Sequence, residues 1–443
     1  MKRFVVEGGH PLKGSVVVSG AKNAVIKMIA ASLLTSEEVI LSNVPKISDV
    51  ETILAMVRSF GTEAVWVDNN KLKLRSAQPE AEYLHSEITK TTRSGVMLMA
   101  PLLARYGKFS ICAPGGDAIG IRPINRHIEV LRSFGAEIVT EGQCFIGEAK
   151  MGLKGGDVGF SKNTVMGTEQ AILAAVLATG KTLIRNAAAE PEIDDLIVLL
   201  SKMGAKVVRK EERLIEIEGV SLLHGASHEV IPDHNEAATF IIAAAVTRGD
   251  VIVSKIIPSH LLSLLAKLEK VGVTFESGKD QIRVWVEKGK DFSPIDIETG
   301  PYPGFKTDWQ QPFCVLLTQC HGLSRVNETI YLNRFEYIKE LNRMGAKIEN
   351  LKPSQRGLKA KIDEEYDIEK QGEPETLVEI TGPTQLIARR LSIPDLRAGA
   401  TLVIAALGAK GSSEIFGVEQ IDRGYEDFDG KLKKLGAKIE RFE

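Results

Sequence analysis

Cysteine is scarce in this chain. Cys112, Cys144, Cys314 and Cys320 are the four in 443 residues, with no CxxC and no Cys/His cluster at zinc-ligand spacing. That excludes a zinc ribbon or a small disulfide scaffold, and it reads as buried thiols in a reducing compartment. Charge of either sign is nearly balanced, at a formal net −2. No global field therefore recruits nucleic acid or an anionic membrane, and any anion site must be built from local cations. No apolar run reaches the length of a membrane span, and Met1 to Gly9 lacks the apolar core of a secretory leader. The expectation is a cytoplasmic protein without nucleic-acid or membrane partners. The GxxxxGK[ST] phosphate loop is also missing.

What is present is repetition. The pattern apolar-x-x-apolar-Gly-(small)-x-apolar recurs six times, at Gly61, Gly135, Gly204, Gly272, Gly345 and Gly436, with spacings of 74, 69, 68, 73 and 91 residues. Each copy closes an amphipathic helix on a C-terminal glycine and enters a short alternating strand, as in Ala205-Lys-Val-Val-Arg. Units of about 70 residues exceed solenoid periods. Six α/β units fit two domains of three. The surplus in the last spacing falls in Asn350 to Glu379, whose Lys, Glu, Gln, Pro and Gly content predicts a solvated insertion.

The candidate chemistry gathers in loops. Pro114-Gly-Gly-Asp117-Ala-Ile-Gly-Ile-Arg122-Pro123 holds three glycines, two prolines, an acid and a base, and leads into a helix predicted over Ile124 to Phe134. An acid and an arginine delivered at a helix N-terminus suit an anionic substrate; an ordinary surface loop is the competing reading. Lys22 and Asn23 begin an apolar helix running through Leu34, where backbone N–H groups favour an anion. Arg93 stands before a buried helix over Val96 to Ala104, as a ligand or as a cap. Thr164, in Lys162-Asn163-Thr164-Val165, either caps the next helix or holds a phosphate. Glu190-Pro-Glu192 and Asp233-His-Asn-Glu236 read as solvated acidic turns. In Gly300-Pro-Tyr-Pro-Gly-Phe-Lys-Thr-Asp308-Trp309 a rigid loop presents Asp308 beside Phe305 and Trp309. Aromatic neighbours predict a raised pKa and a base for a hydroxyl. Arg334, Arg397 and Arg423 follow on separate units, although local ion pairs Asp395–Arg397 and Asp422–Arg423 compete as an explanation.

Together these motifs resemble the UDP-N-acetylglucosamine enolpyruvyl transferases (1-carboxyvinyltransferases) over essentially the whole chain. They are Gly20-Ala-Lys-Asn23, Pro101-Leu-Leu-Ala-Arg105, the Pro114 to Pro123 run, Asn186-Ala-Ala-Ala-Glu-Pro-Glu192, Tyr302-Pro-Gly-Phe-Lys-Thr-Asp308, Asn333-Arg-Phe335, Asp395-Leu-Arg397 and Ile421-Asp-Arg-Gly-Tyr-Glu426. The resemblance implies an α/β fold: a two-domain inside-out α/β barrel of six βαβαββ-type repeats, with the active site in the interdomain cleft. It implies one domain at 22–231 with a catalytic loop at 112–123, and a second joining 1–21 to 232–443.

The implied reaction moves the enolpyruvyl group of phosphoenolpyruvate to the sugar 3-hydroxyl and releases phosphate, by addition–elimination, without metal or organic cofactor. In cells this is the first committed step of peptidoglycan synthesis. The resemblance puts Lys22, Asn23 and Arg122 at phosphoenolpyruvate, with Arg334, Arg397 and Arg423 around its carboxylate and phosphate, groups that bidentate guanidiniums match. It puts Arg93, Arg122, Pro123, Ile124, Asn125, Arg126, Lys162, Asn163, Thr164, Val165 and Ile330 at the UDP-sugar. Asp308 is the implied base at the sugar hydroxyl, Asp117 a proton donor, and Asp395 a further carboxylate of the catalytic set with Lys22 and Arg397.

Three departures mark a divergent branch: Asp117 where cysteine is usual, Thr164-Val165-Met166 for Ser-Val-Gly, and His234 for the arginine after Pro232-Asp233. Two other functions compete. One is transfer to another acceptor, a different uridine nucleotide or, less in keeping with the Gly115 to Pro123 loop, shikimate 3-phosphate. The other is a non-catalytic paralogue that binds UDP-sugar and regulates a partner.

Overall fold

The computed structural model describes residues 2–76, 93–112, 124–361 and 366–443, the side chain of Arg93 excepted. Two compact units emerge. One is built on Met1–Ser19 and Pro232–Glu443, the other on Gly20–Gly116 and Arg122–Ile231.

The repeat glycines explain the architecture. Gly61, Gly135, Gly204, Gly272, Gly345 and Gly436 all have φ between 86° and 99°, a left-handed conformation that side-chain-bearing residues rarely adopt. Each ends a surface helix: Ser48–Ser59, Asn125–Ser133, Pro191–Lys202, Leu262–Val271, Ile338–Arg343 and Phe428–Lys434. Each is followed by a strand, such as Lys206–Glu211 after Gly204.

The sheets repeat one topology. Asp296–Glu298 pairs parallel with Gly322–Asn327, which pairs antiparallel with Leu377–Gly382, which pairs antiparallel with Ile348–Leu351. Four more sheets follow the same order, and a sixth shows three strands among the described residues. The sheets stay separate; none closes into a barrel among the described residues. The N-terminal segment completes the C-terminal half: Arg3–Glu7 inserts between Ser412–Phe416 and Lys438–Phe442, and Lys13–Val17 pairs with Asp250–Ser254. That is why the first unit is discontinuous in sequence.

Sheets lie outside and apolar helices inside. Helices His234–Val246, Thr307–Leu317 and Leu396–Gly408 pack on one another and are buried along almost their whole length. Lys22–Ala31 and Val165–Ala175 are buried alike in the other unit. A helix apolar on all sides belongs in such a core. Trp309, Phe313 and Phe240 are fully buried, and each contributes roughly 1.5–3 kcal/mol by leaving water.

Three expectations need correction. Cys112 and Cys144 are not free thiols. They face each other across the antiparallel strands Lys108–Cys112 and Cys144–Glu148 and form a disulfide. A separation of 32 residues gave no local signal of this register. Cys314 and Cys320 are buried thiols, and burial pushes each up to about 12. The solvated insertion is narrower than Asn350 to Glu379, because Ile348–Leu351 and Leu377–Gly382 are paired strands of one sheet. Its polar composition is partly ion pairing: Arg356 and Arg325 both donate to Glu379. Finally, the acidic turns are not solvated. Glu190, Glu192, Asp233 and Glu236 are all buried, each at the mouth of an interior or surface helix.

Candidate functional site

The densest constellation lies where helix Thr307–Leu317 begins. Asp308 sits in its first turn, the end where a carboxylate is favoured. Arg334 Nη2 donates to Asp308 Oδ1 at 2.6 Å, and Arg397 Nε lies 3.6 Å from the same oxygen. Both arginines are buried, at 4% and 6% exposure. Burial pushes the Asp308 carboxyl up, but Arg397 and Arg334, then Lys306 and His234, outweigh it and hold it down at about 2. The expected upward shift is therefore reversed. The aromatic neighbours engage each other and Asn235: Phe305 and Trp309 pack edge to face with ring centroids 5.7 Å apart, and Trp309 Nε1 donates to Asn235 Oδ1.

The arginines are tightly placed. Gln311 Nε2 donates to the Arg334 carbonyl at 3.3 Å, and the guanidinium lies over the Tyr331 ring. Arg397 lies over Tyr425, whose hydroxyl meets Thr239 Oγ1 at 2.9 Å. Arg334 Nε and Arg397 Nη1 are buried without a hydrogen-bond partner among the described residues. Buried donors left unmatched beside one carboxylate are suited to a further anion.

The competing local ion pairs do not form. Asp395 caps helix Leu396–Gly408 by accepting from the backbone N–H groups of Arg397 and Ala398, at 2.9 and 3.0 Å. Asp422 pairs with Arg441 at 2.7 Å instead of Arg423. Arg423, half-buried, donates to Gln420.

Sequence reasoning missed Glu328, which organises this region. Its buried carboxylate accepts from Thr299 Oγ1, Thr307 Oγ1 and the backbone N–H groups of Ile330 and Tyr331. It thereby fixes Ile330 and the start of the Asp308 helix. A lone glutamate after strand Gly322–Asn327 carries no motif that would have revealed it.

The other unit carries the remaining candidates. Lys22 opens helix Lys22–Ala31, is 8% exposed, and pairs with Asp49 Oδ2 at 2.7 Å. Asn23 follows it, and its carbonyl accepts from Lys27 Nζ at 2.7 Å. Thr164 Oγ1 accepts from the Gly167 N–H, so it caps helix Val165–Ala175. Asn163 Nδ2 donates to the carbonyls of Asn186 and Ala187; Lys162 precedes it, half-buried. Ile124 precedes helix Asn125–Ser133, whose first residues are Asn125 and Arg126. Arg93 begins the 3-10 turn Arg93–Leu98 ahead of helix Met99–Tyr106, where one continuous helix was expected. Asp117, Arg122 and Pro123 lie outside the described residues.

One buried carboxyl here bears on stability. Glu169, fully buried on helix Val165–Ala175, has Lys27 Nζ 3.4 Å away. Burial dominates over that cation and raises Glu169 to about 8, with Glu192 and Glu190 adding to the rise. The folded state thus keeps a proton that the unfolded state, at an ordinary 4.5, releases. Stability should fall as pH rises from about 4.5 to about 8, because only the folded form is then protonated. Glu169→Gln should match the wild type in urea unfolding at pH 4 and exceed it by a few kcal/mol at pH 8. Equal stability at both pH values would remove Glu169 from this role.

The described residues contain no group of three or more His, Cys, Asp or Glu side chains placed to hold a metal ion. No helix among them is long and apolar enough to cross a membrane.

Comparison with known proteins decides the family. The family described as EPSP synthase (3-phosphoshikimate 1-carboxyvinyltransferase) matches residues 6–432. The protein named UDP-N-acetylglucosamine 1-carboxyvinyltransferase from Acidobacterium capsulatum is 43% identical, covering 100% of this chain and 96% of its own. Its namesake from Koribacter versatilis is 44% identical over the same shares, and that from Endomicrobium trichonymphae is 40% identical over 99% of each chain.

The chain belongs to the UDP-N-acetylglucosamine 1-carboxyvinyltransferase family.

Among solved structures, the enolpyruvyl transferase NikO from Streptomyces tendae superposes with a TM-score of 0.84 at 21% identity, covering 99% of this chain and 98% of that one. EPSP synthase from Acinetobacter baumannii gives 0.73 at 18% identity, covering all of both chains. At these identities the likeness establishes the fold: two domains of mixed α/β repeats, as in other enolpyruvyl transferases.

Proposed function

We propose that this protein transfers the enolpyruvyl group of phosphoenolpyruvate to the 3-hydroxyl of UDP-N-acetylglucosamine and releases phosphate, as a cytoplasmic enzyme opening peptidoglycan synthesis. The observation that carries the reading is Asp308 held between Arg334 and Arg397, each of which keeps a buried N–H without a partner among the described residues. The full-length relatives bear the name of this activity.

The chemistry asks three things of the residues. The phosphate and carboxylate of phosphoenolpyruvate need cations, which Lys22, Arg122, Arg334, Arg397 and Arg423 supply, with Asn23 at the same helix start as Lys22. The sugar hydroxyl needs a base. Asp308 takes its proton as the oxygen bonds to C2 of phosphoenolpyruvate, while C3 gains a proton, giving a tetrahedral ketal. The ketal then loses a C3 proton and phosphate, which restores the vinyl ether. Asp117 is the residue proposed to move the C3 proton. The nucleotide-sugar contacts are assigned to Arg93, Pro123, Ile124, Asn125, Arg126, Lys162, Asn163, Thr164, Val165 and Ile330.

Electrostatics couples the steps. With its carboxyl held at about 2, Asp308 is a weak base while both guanidiniums serve it alone. A substrate carboxylate that engages the spare N–H groups of Arg334 and Arg397 shares their charge and raises the proton affinity of Asp308. Binding of one substrate thus prepares the base for the other.

The test is product identity. Incubation with both substrates should yield a nucleotide sugar whose proton spectrum shows vinyl protons of an enol ether on O3. Recovery of unchanged nucleotide sugar would favour a binding paralogue without catalysis.

A further inference from the structure

His234 opens helix His234–Val246 directly after its cap, Asp233, which accepts from the N–H groups of Asn235 and Glu236. The ring is buried, at 3% exposure. Its Nε2 lies 2.5 Å from the Nζ of Lys306, itself buried, at the cap of helix Thr307–Leu317. The ring edge packs against Trp309 and His260, with centroids 6.0 and 6.1 Å away.

An ammonium group only donates hydrogen bonds. With Lys306 charged, His234 Nε2 must offer a lone pair, which puts the ring proton on Nδ1. A second proton on the imidazole would set two cations side by side in a buried site, where repulsion is strong. Lys306 stands two residues from Asp308, and its ammonium helps to hold that carboxylate down. Among the described residues, the charged and titratable groups facing His234 include Lys306 and Asp308 from one helix start and His260 from the turn Pro258–Leu261. Asp233 and Glu236 lie on its own first turn, with Arg397 coupled to Asp233.

We propose that His234 is a positioning residue: as a neutral imidazole it fixes the Lys306 ammonium near Asp308, and turnover requires His234 to be deprotonated. The proposal rests on the reading of Asp308 as the group at the acceptor hydroxyl. It also accounts for histidine where the family usually has arginine. A guanidinium there would confront Lys306 with a second permanent cation.

The test compares pH profiles of kcat/KM for the wild type, His234→Gln, His234→Ala and Asp308→Asn. The wild type should lose activity toward acid, tenfold per unit once His234 is protonated. His234→Gln keeps an oxygen acceptor for Lys306 but does not titrate. It should stay within about tenfold of the wild type at pH 8 and lack that acid limb. His234→Ala offers no acceptor and should fall well below His234→Gln. A limb in His234→Gln identical to the wild type's overturns the proposal, as does His234→Ala matching His234→Gln at every pH. If both variants fail to fold, ¹⁵N-histidine spectra of the wild type decide: the His234 ring must be neutral at pH 8, and an imidazolium there refutes the idea. Asp308→Asn separates the two readings. Wild-type turnover in that variant removes the role of Asp308, while the acid-limb comparison still judges His234.

Discussion

Asp308→Asn lowers turnover by roughly 10²–10⁴-fold and leaves affinity for the nucleotide sugar within a few-fold. The amide keeps the shape of the side chain and can still accept from Arg334 Nη2, now 2.6 Å from Oδ1. It loses both the negative charge and the capacity to take a proton. Because Arg334 and Arg397 are buried, neither can turn to water for a new counter-charge. Phosphoenolpyruvate, being an anion, should bind the variant at least as tightly as the wild type. The signature is thus a fall in kcat with an unchanged or lower KM for phosphoenolpyruvate. Steady-state kinetics with both substrates varied would show it. Turnover like that of the wild type would make Asp308 a structural partner of the arginines and nothing more.

Arg397→Gln should lower kcat/KM for phosphoenolpyruvate by roughly 10²–10³-fold, the scale on which removing one partner of a buried charge pair acts. Arg397 serves two groups and keeps a spare donor: its Nε lies 3.6 Å from Asp308, its plane covers Tyr425, and its Nη1 is buried without a partner among the described residues. Glutamine supplies none of the charge and half of the reach. The loss should fall on phosphoenolpyruvate and spare the nucleotide sugar. Arg397→Lys should recover only part of it, since a point charge cannot replace a planar fork. Equal losses for both substrates would show a general collapse of the helix start at Asp395. Thermal unfolding of the variant would reveal that separately.

The repeats were the legible part of the fold. A glycine after every surface helix is forced by its left-handed backbone, so six of them could be counted from residues alone. One interior helix was legible too, because the stretch from Lys22 to Leu34 is dominated by apolar residues, and Lys22–Ala31 is indeed a buried helix. The N-terminal segment was harder. Arg3–Glu7 pairs with strands more than four hundred residues away in sequence, and nothing local announces that. Disulfide pairing failed for the same reason, since Cys112 and Cys144 meet only through sheet register.

At the candidate site, the arginines and Asp308 were readable as residue types, but their electrostatics were not. Phe305 and Trp309 adjoin Asp308 in sequence and suggested a raised pKa. Space brings Arg334 and Arg397 to the carboxylate, and their charge decides the shift. The acidic turns misled in the opposite sense. Asp233-His-Asn-Glu236 looks like solvated surface, yet all four residues are buried because the helix they start runs through the core. Glu236 there is satisfied by Lys431 and by the Ser19 N–H, contacts made across the length of the chain. Lys306 was visible in its motif, but its partner His234 lies 72 residues away and is recognisable only as a contact.

The central claim is the identity of the acceptor. Phosphate release from phosphoenolpyruvate should be measured on the purified protein with no acceptor, with UDP-N-acetylglucosamine, with another uridine-diphosphate sugar and with shikimate 3-phosphate. The account predicts release that depends on UDP-N-acetylglucosamine and exceeds that with any other acceptor by at least a hundredfold in kcat/KM, a difference of about 2.7 kcal/mol in transition-state binding. Comparable or faster release with shikimate 3-phosphate, or none with any acceptor, would contradict it.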